Sequence, residues 1–436
     1  MNPINSIKSA LQSPKTVRVL GIWTACCGIL LGWNLMYEIA TGTNPIGPIG
    51  DHNDFLAFFT AAKLVLSGSI GHLYLAKTFA SAQHAISHHP IGAEGYMPFL
   101  NPPFVAVLLA PLGSIPELPS RVLWLICNTI LVSWLLLKLV QPLSLKHKWV
   151  AALLLLGTFP VYENLVEGQL SILILAGCFL ALAAAKKNHN FVAGLWLTVL
   201  WIKPQLAIMA LAGLLIFKAW DAAKGLIVGV VALVLVGLPI TGYQIYIAYA
   251  RFLVQVLIAH TNGAGAAHPS VWQGQLKLTA GVNGLYTGIF GQYRVLLVDT
   301  ATAITDLILI GTYFLAARTV RPGLSSPSRR LMLIGGIGLM LLLDPHLFQQ
   351  DVILAFIALP LLAADLKRPL LAVVLLALAT NFLVLDYIEP THIFSFLMLA
   401  AVLGISLQTY VDGRNAKVNK ALKPTITPPS LGQAQP

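Results

Sequence analysis

The chain has 436 residues, of which 57% are hydrophobic and 10% charged, and its mean hydropathy is +0.80. No water-soluble fold of this length hides so much apolar surface in one core, so the bilayer has to act as solvent. The formal charge of +11, from 27 Lys and Arg against 16 Asp and Glu, does not make a nucleic-acid surface, because the basic residues punctuate the gaps between apolar runs and form no single patch.

In chain order, hydropathy predicts an all-α integral membrane protein of about 10–13 transmembrane helices. Residues 1–16 carry Lys8 and Lys15 and read as a cytoplasmic N-terminus. The apolar run 17–37 is too long for a signal-peptide core, although 40–42 resembles a cleavage site, so it reads as an uncleaved first span. A long external loop is expected at 38–101, with a helix at 55–66 lying along the interface and its aromatic rings at headgroup level. The segment 102–115 opens with two prolines and is long enough only for a half-crossing.

Further spans are predicted at 121–140, 149–165, 170–185, 191–202, 204–217 and 225–240. A second long external loop at 241–294 holds another interfacial helix, 243–260. Spans then resume at 295–317, 331–343, 352–364, 371–385 and 393–407, several so short that broken helices are expected. One polytopic domain thus covers 17–411, and the polar, Pro-rich stretch 412–436 reads as a disordered cytoplasmic tail touching anionic lipid. Cys26, Cys27, Cys127 and Cys178 fall inside apolar runs without metal-site spacing and read as buried small residues.

Basic clusters at Lys146 and Lys148, Lys186 and Lys187, Lys218 and Lys224, 318–330, Lys367 and Arg368, and 414–423 place those loops and both termini in the cytoplasm. The opposite loops hold most of the acids and several histidines, so any chemistry is expected on the external face of a cytoplasmic membrane. Asp54 follows Asp51 and His52 in a turn and precedes the first interfacial helix. An aspartate there suits a helix cap, and it equally suits a general base that takes a proton from a sugar hydroxyl. Asp344, Pro345, His346, Gln349, Gln350 and Asp351 pack polar and turn residues between two short apolar runs, the composition of a wet cavity wall.

From Asp54 the chain continues with Phe55, the aromatic pair Phe58 and Phe59, Ala61-Ala62, Leu66-x-Gly68, Leu73-Tyr74, Asn101-Pro102-Pro103-Phe104 and Trp124-x-x-x-Asn128. This order resembles glycosyltransferase family 87, polyprenol-phosphate-mannose-dependent, mannosyltransferase-like enzymes of the GT-C class. The similarity extends to Gly168-Gln169 and Lys203-Pro204-Gln205. The family's usual Tyr-Pro-Pro is Asn101-Pro102-Pro103 here, a departure that bears on donor or acceptor preference.

The resemblance implies a GT-C-like bundle, a catalytic acid in the first external loop at Asp54 with Asp51 as its neighbour, and inverting transfer of a hexose, mannose first, from a polyprenyl-phosphate donor. The acceptor is left open among lipid, glycan and protein. Membrane lipids are expected partners and nucleic acid is not. Lys203, His268, His346, Gln169 and Gln350 are the candidates for holding the donor's phosphate or sugar; a lysine at a span end also snorkels, and a loop histidine also serves as an ordinary hydrogen-bonding group. The chemistry calls for no cofactor, and the His and Asp spacing is too weak a pattern to predict a divalent cation. A proton- or cation-coupled transporter or a lipid flippase is the rival, motivated by Asp299 and Asp306 seven residues apart on one apolar run.

Overall fold

The computed structural model describes residues 13–41, 54–86, 97–262, 281–290, 295–320, 326–344, 348–384 and 392–421. Among these residues there are eighteen α-helices, four 3-10 segments and no strand, and the chain is an all-α membrane protein. Five helices are long and apolar enough to cross a bilayer: Pro14–Asn34, Glu117–Val140, Trp220–Thr241, Leu296–Ala317 and Ile393–Ala416. Their outward faces expose Leu, Ile and Val, as on Glu117–Val140, where Leu118, Val122, Ile126 and Ile130 lie on the surface a lipid chain would cover.

The run expected as one span at 149–165 is a broken pair, Lys148–Leu156 and Phe159–Val166, bent by 58°. Pro160 in the first turn of the second helix lacks the N–H that would continue the first. Six shorter apolar helices of 10–17 residues follow the remaining runs. At 1.5 Å per residue they reach about 15–26 Å, less than the roughly 30 Å of a hydrocarbon core, so they end inside the membrane or at its edge.

Close packing rests on small residues. Asn190–Leu197 crosses Trp220–Thr241 so tightly that a Cβ on Gly194 would come within 2.0 Å of the Ala222 carbonyl oxygen, and one on Gly225 within 2.1 Å of that of Phe191. Where lipid is as apolar as leucine, such backbone contact supplies the van der Waals attraction that holds helices together.

Several expectations change. The rings of the helix Asp54–Leu66 do not sit among headgroups. Phe55, Phe58, Phe59, Ala61 and Ala62 are buried against Pro103–Leu109 and the 3-10 turn Ala110–Ser114, because the helix is apolar around most of its circumference and needs protein on several sides. Likewise Tyr249 and Phe252 of the helix Tyr243–Asn262 stack on Tyr74 at ring separations of 5.1 and 5.4 Å, so the aromatics of the two long loops face each other. At the other end of the chain the helix Ile393–Ala421 continues past residue 412, where a disordered tail was expected. Cys26 and Cys127, expected to be buried, sit exposed on the outer faces of long apolar helices.

Four segments share a polarity that positions the site. Ser171–Lys186 and Pro204–Ile216 start beside Asp351 and Lys203 and end at Lys186 and Lys218; Gln349–Leu362 starts beside Asp351 and leads to Asp365; Pro327–Leu342 runs the opposite way, from Arg329 and Arg330 to Asp344. One end of this group gathers carboxylates and amides, and the other gathers basic residues.

Candidate active site

Asp54 opens its helix, and the loop between Phe159–Val166 and Ser171–Lys186 caps that opening. The backbone N–H of Asp54 points to Glu167 Oε2 at 3.4 Å, and that of Phe55 donates to the Glu167 carbonyl at 3.0 Å. These are two of the donors that every helix start leaves without an intrahelical partner. The loop makes this approach because residue 168 is glycine: its φ is +66°, and a Cβ there would fall 2.7 Å from Cβ of Phe55. The indole Nε1 of Trp124 donates to the Gly168 carbonyl at 2.8 Å, and Asn128 Nδ2 donates to the Trp124 carbonyl at 2.9 Å. The Trp-x-x-x-Asn pattern of the sequence is therefore the brace of this loop. What the brace delivers is Gln169, whose Nε2 donates to the Asp54 carboxylate Oδ2.

Beside this pair lies a second one. Lys203 occupies the break between the 3-10 turn Thr198–Ile202 and the helix Pro204–Ile216, extended at φ −121°, ψ 92° as the residue before a proline should be. Its Nζ reaches both oxygens of Asp351, at 2.5 and 2.7 Å, and the Ser171 hydroxyl donates to Asp351 Oδ1 at 2.5 Å. The Asp351 side chain is fully buried, whereas that of Lys203 keeps 15% exposure, so the ammonium is the member of the pair that a ligand can touch. An ammonium has three N–H donors, and two directed at Asp351 leave one for a further acceptor.

Burial pushes the Asp54 carboxyl up from its ordinary 3.8 to about 6; nearby Lys203 opposes the rise and nearby Asp351 adds to it. A carboxyl that titrates near neutrality is a better general base than an ordinary aspartate. Polar residues close in the chain to the two pairs are buried as well. Gln349 and Gln350 are buried, Asn164 Nδ2 donates to the Gln350 carbonyl at 2.8 Å, and Gln205 Nε2 faces the buried Asp344 at 3.4 Å. Asn101, from the departed Tyr-Pro-Pro position, donates from Nδ2 to the Ile202 carbonyl at 3.0 Å, and its own carbonyl accepts from the Tyr74 hydroxyl at 2.7 Å. That asparagine ties the first loop to the Lys203 break.

Of the residues singled out in the sequence, Asp54 and Gln169 are hydrogen-bonded to each other and Lys203 pairs with Asp351, while Gln350 shows only its backbone carbonyl, bonded to Asn164; Asp51, His268 and His346 lie outside the described residues. Gln169, expected at the donor, lies on Asp54 itself and orients it. Glu167, Ser171 and the pairing of Asp351 with Lys203 were not anticipated. The available signal was Ser171 two places after Gln169 at a helix start, where a hydroxyl is common for capping and so draws no notice. Asp299 and Asp306 belong to the helix Val295–Ala317, which packs mainly on Ile393–Ala421 and Val282–Phe290.

The model of glycosyltransferase family 87 matches residues 99–345, more than half of the chain. The match takes in Asn101, Trp124, Asn128, Gly168, Gln169 and Lys203; Asp54 precedes it and Asp351 follows it, and what joins them to it is the set of contacts above. No curated protein and no solved structure matches the chain.

Proposed function

The chain belongs to glycosyltransferase family 87 and is a membrane glycosyltransferase; from that premise we propose that it moves a hexose, mannose first, from a polyprenyl phosphate to an acceptor on the outer face of a cytoplasmic membrane, within a GT-C-like bundle. The observation that carries this reading is the Asp54 carboxyl, raised to about 6, held by Gln169 and set beside the Lys203–Asp351 pair.

In this mechanism the acceptor hydroxyl oxygen attacks C1 of the donor sugar from the face opposite the phosphate. The new C1–O bond forms as the bond from C1 to the phosphate oxygen breaks, so the configuration inverts. The electron pair leaves with polyprenyl phosphate and the hydroxyl proton passes to Asp54. A phosphate needs no proton to depart, unlike the alkoxide of glycoside hydrolysis; it needs positive charge and hydrogen-bond donors. Lys203 supplies the charge through the N–H that Asp351 does not take. Gln169 positions the base by fixing one of its oxygens, which leaves the other for the hydroxyl. Gln350 and Asp344, buried polar residues close in the chain to Asp351, are assigned to the sugar hydroxyls.

The test is a donor panel. Purified protein in liposomes is given radiolabelled mannose or glucose on polyprenyl phosphate, and the same sugars as nucleotide conjugates, with a membrane glycolipid extract as acceptor. Transfer from the polyprenyl phosphates alone is the expected result. Transfer from nucleotide sugars would contradict the donor class, and no transfer from any donor would bring a transport function forward.

A further inference from the structure

Away from Asp54, a feature that the transfer chemistry leaves unexplained is a trough whose basic residues lie at the far ends of the same helices whose near ends build the site, and whose apolar lining runs back along them to Leu200 and Leu343. A helix such as Ser171–Lys186, of 16 residues, separates its two ends by about 24 Å, so the basic end of the trough is remote from the reacting atoms. Its volume is about 1700 Å³, well above the roughly 300–1,000 Å³ of ordinary small-molecule sites. Its walls are mostly Ala, Leu, Ile, Met and Phe, and its rim carries five basic residues, Lys186, Lys218, Lys224, Arg329 and Arg330, against one acid, Asp221.

Two of those charges are balanced: Arg330 by a bidentate bond to Asp365 at 2.7 and 2.9 Å, and Lys224 by Asp221 at 3.9 Å. Lys186, Lys218 and Arg329 remain as net positive charge. Lys186 donates to the Pro360 carbonyl at 3.2 Å, which uses one of its three donors. The Arg329 guanidinium lies over the Phe217 ring at 4.0 Å, a contact with the ring face that keeps its positive charge.

Lys218 supplies an independent sign. It terminates the helix Pro204–Ile216 in the left-handed conformation, φ +54°, with the Ala219 N–H bonded back to Leu214 at 2.8 Å. That position ordinarily takes glycine, and a residue with a side chain there is strained. The helix end thereby sets the Lys218 ammonium among the basic residues that line the trough.

We propose that this trough binds an anionic phospholipid, its acyl chains along the apolar walls and its phosphate among Lys186, Lys218 and Arg329. An apolar volume too large for a soluble metabolite, opening among three net cations in a membrane-embedded chain, matches the two halves of such a lipid. The phosphate end of this site lies away from the transfer chemistry, and the proposal does not depend on the donor proposed above.

The experiment uses full-length protein purified in detergent and stripped of lipid, titrated with phosphatidylglycerol or phosphatidylcholine, with occupancy read by native mass spectrometry and stability by thermal shift. One phosphatidylglycerol per chain and a rise in Tm are expected, with phosphatidylcholine giving neither. At about fivefold per basic group, Lys218→Gly and Arg329→Gln each weaken binding, and both together weaken it about 25-fold. Lys218→Gly also raises the Tm of the lipid-free protein by relieving the left-handed residue, so its loss of lipid cannot be assigned to misfolding. Lys146→Gln, an exposed charge outside the trough, leaves binding unchanged. Equal binding of the two lipids, an equal loss in Lys146→Gln, wild-type affinity in Lys218→Gly with Arg329→Gln, or displacement of phosphatidylglycerol by a lower concentration of an isoprenyl phosphate would each overturn the proposal.

Discussion

Asp54→Asn is expected to lower kcat for sugar transfer by about 10²–10⁴-fold, the usual contribution of a positioned general base, while the folded protein becomes no less stable. The second half of that expectation makes the experiment informative. Because the folded state raises the Asp54 pKa above 3.8, to about 6, the native protein holds this proton more tightly than the unfolded chain does. Stability from this group is therefore present below pH 3.8 and lost as pH rises through about 6, leaving the ionised carboxylate destabilising at neutral pH by about 1–3 kcal/mol. Asparagine removes the charge, keeps an oxygen for Gln169, and leaves the backbone bonds to Glu167 in place. An apparent Tm at or above wild type, together with lost turnover, identifies a group kept for chemistry. A residue kept only to start a helix gives the reverse, lower stability with turnover retained.

Lys203→Met is expected to cost about 3–5 kcal/mol of stability as well as activity, because it strands a fully buried carboxylate. The exposed pair of Lys224 and Asp221, with side chains 71% and 67% exposed, sets the scale for comparison: breaking a pair of that kind costs under about 1 kcal/mol. The double variant Lys203→Met with Asp351→Leu removes both charges and should regain most of the stability, less about 1 kcal/mol for the Ser171 hydroxyl that loses its acceptor. Transfer should stay absent in the double variant, since the leaving phosphate still has no cation. Urea titration of both variants beside the transfer assay separates the roles; activity that returned with stability would make Lys203 a structural residue only.

What the sequence disclosed follows from which interactions are local. Apolar runs of 20 or more residues, such as Glu117–Val140, announce themselves because a bilayer demands a continuous apolar helix. Shorter runs named the right residues but not their shape: 149–165 reads as one span until the Gly157, Thr158 and Pro160 break bends it, and 352–364 hides a 3-10 segment, Gln349–Ile357, that turns Asp351 toward Lys203. The Asp54 helix was legible as a helix, but its rings were expected among headgroups and are buried in protein, since hydropathy does not distinguish a neighbouring helix from a lipid tail.

The site was half legible for a related reason. Asp54, Gln169 and Lys203 sit in patterns that read along the chain, and their order carried the resemblance to the family. The hydrogen bonds that make them a site join residues 115 and 148 positions apart, from Gln169 to Asp54 and from Lys203 to Asp351. No local pattern encodes such pairings. Trp124 and Gly168 show the same limit: each motif is visible by itself, and only the bond between them explains why the chain carries both.

The most direct test of the Asp54 assignment is the pH dependence of kcat/KM for transfer by wild-type protein in liposomes, with substrate and protein stability checked across the range. A general base must be ionised, so activity is present above its pKa and falls as pH drops below it. With Asp54 at about 6, the expected profile is level above pH 7 and declines about tenfold per unit below pH 6. A profile that stays level down to pH 5 would contradict the assignment, since it would mean that the base keeps an ordinary carboxylate pKa or that no such base limits the reaction.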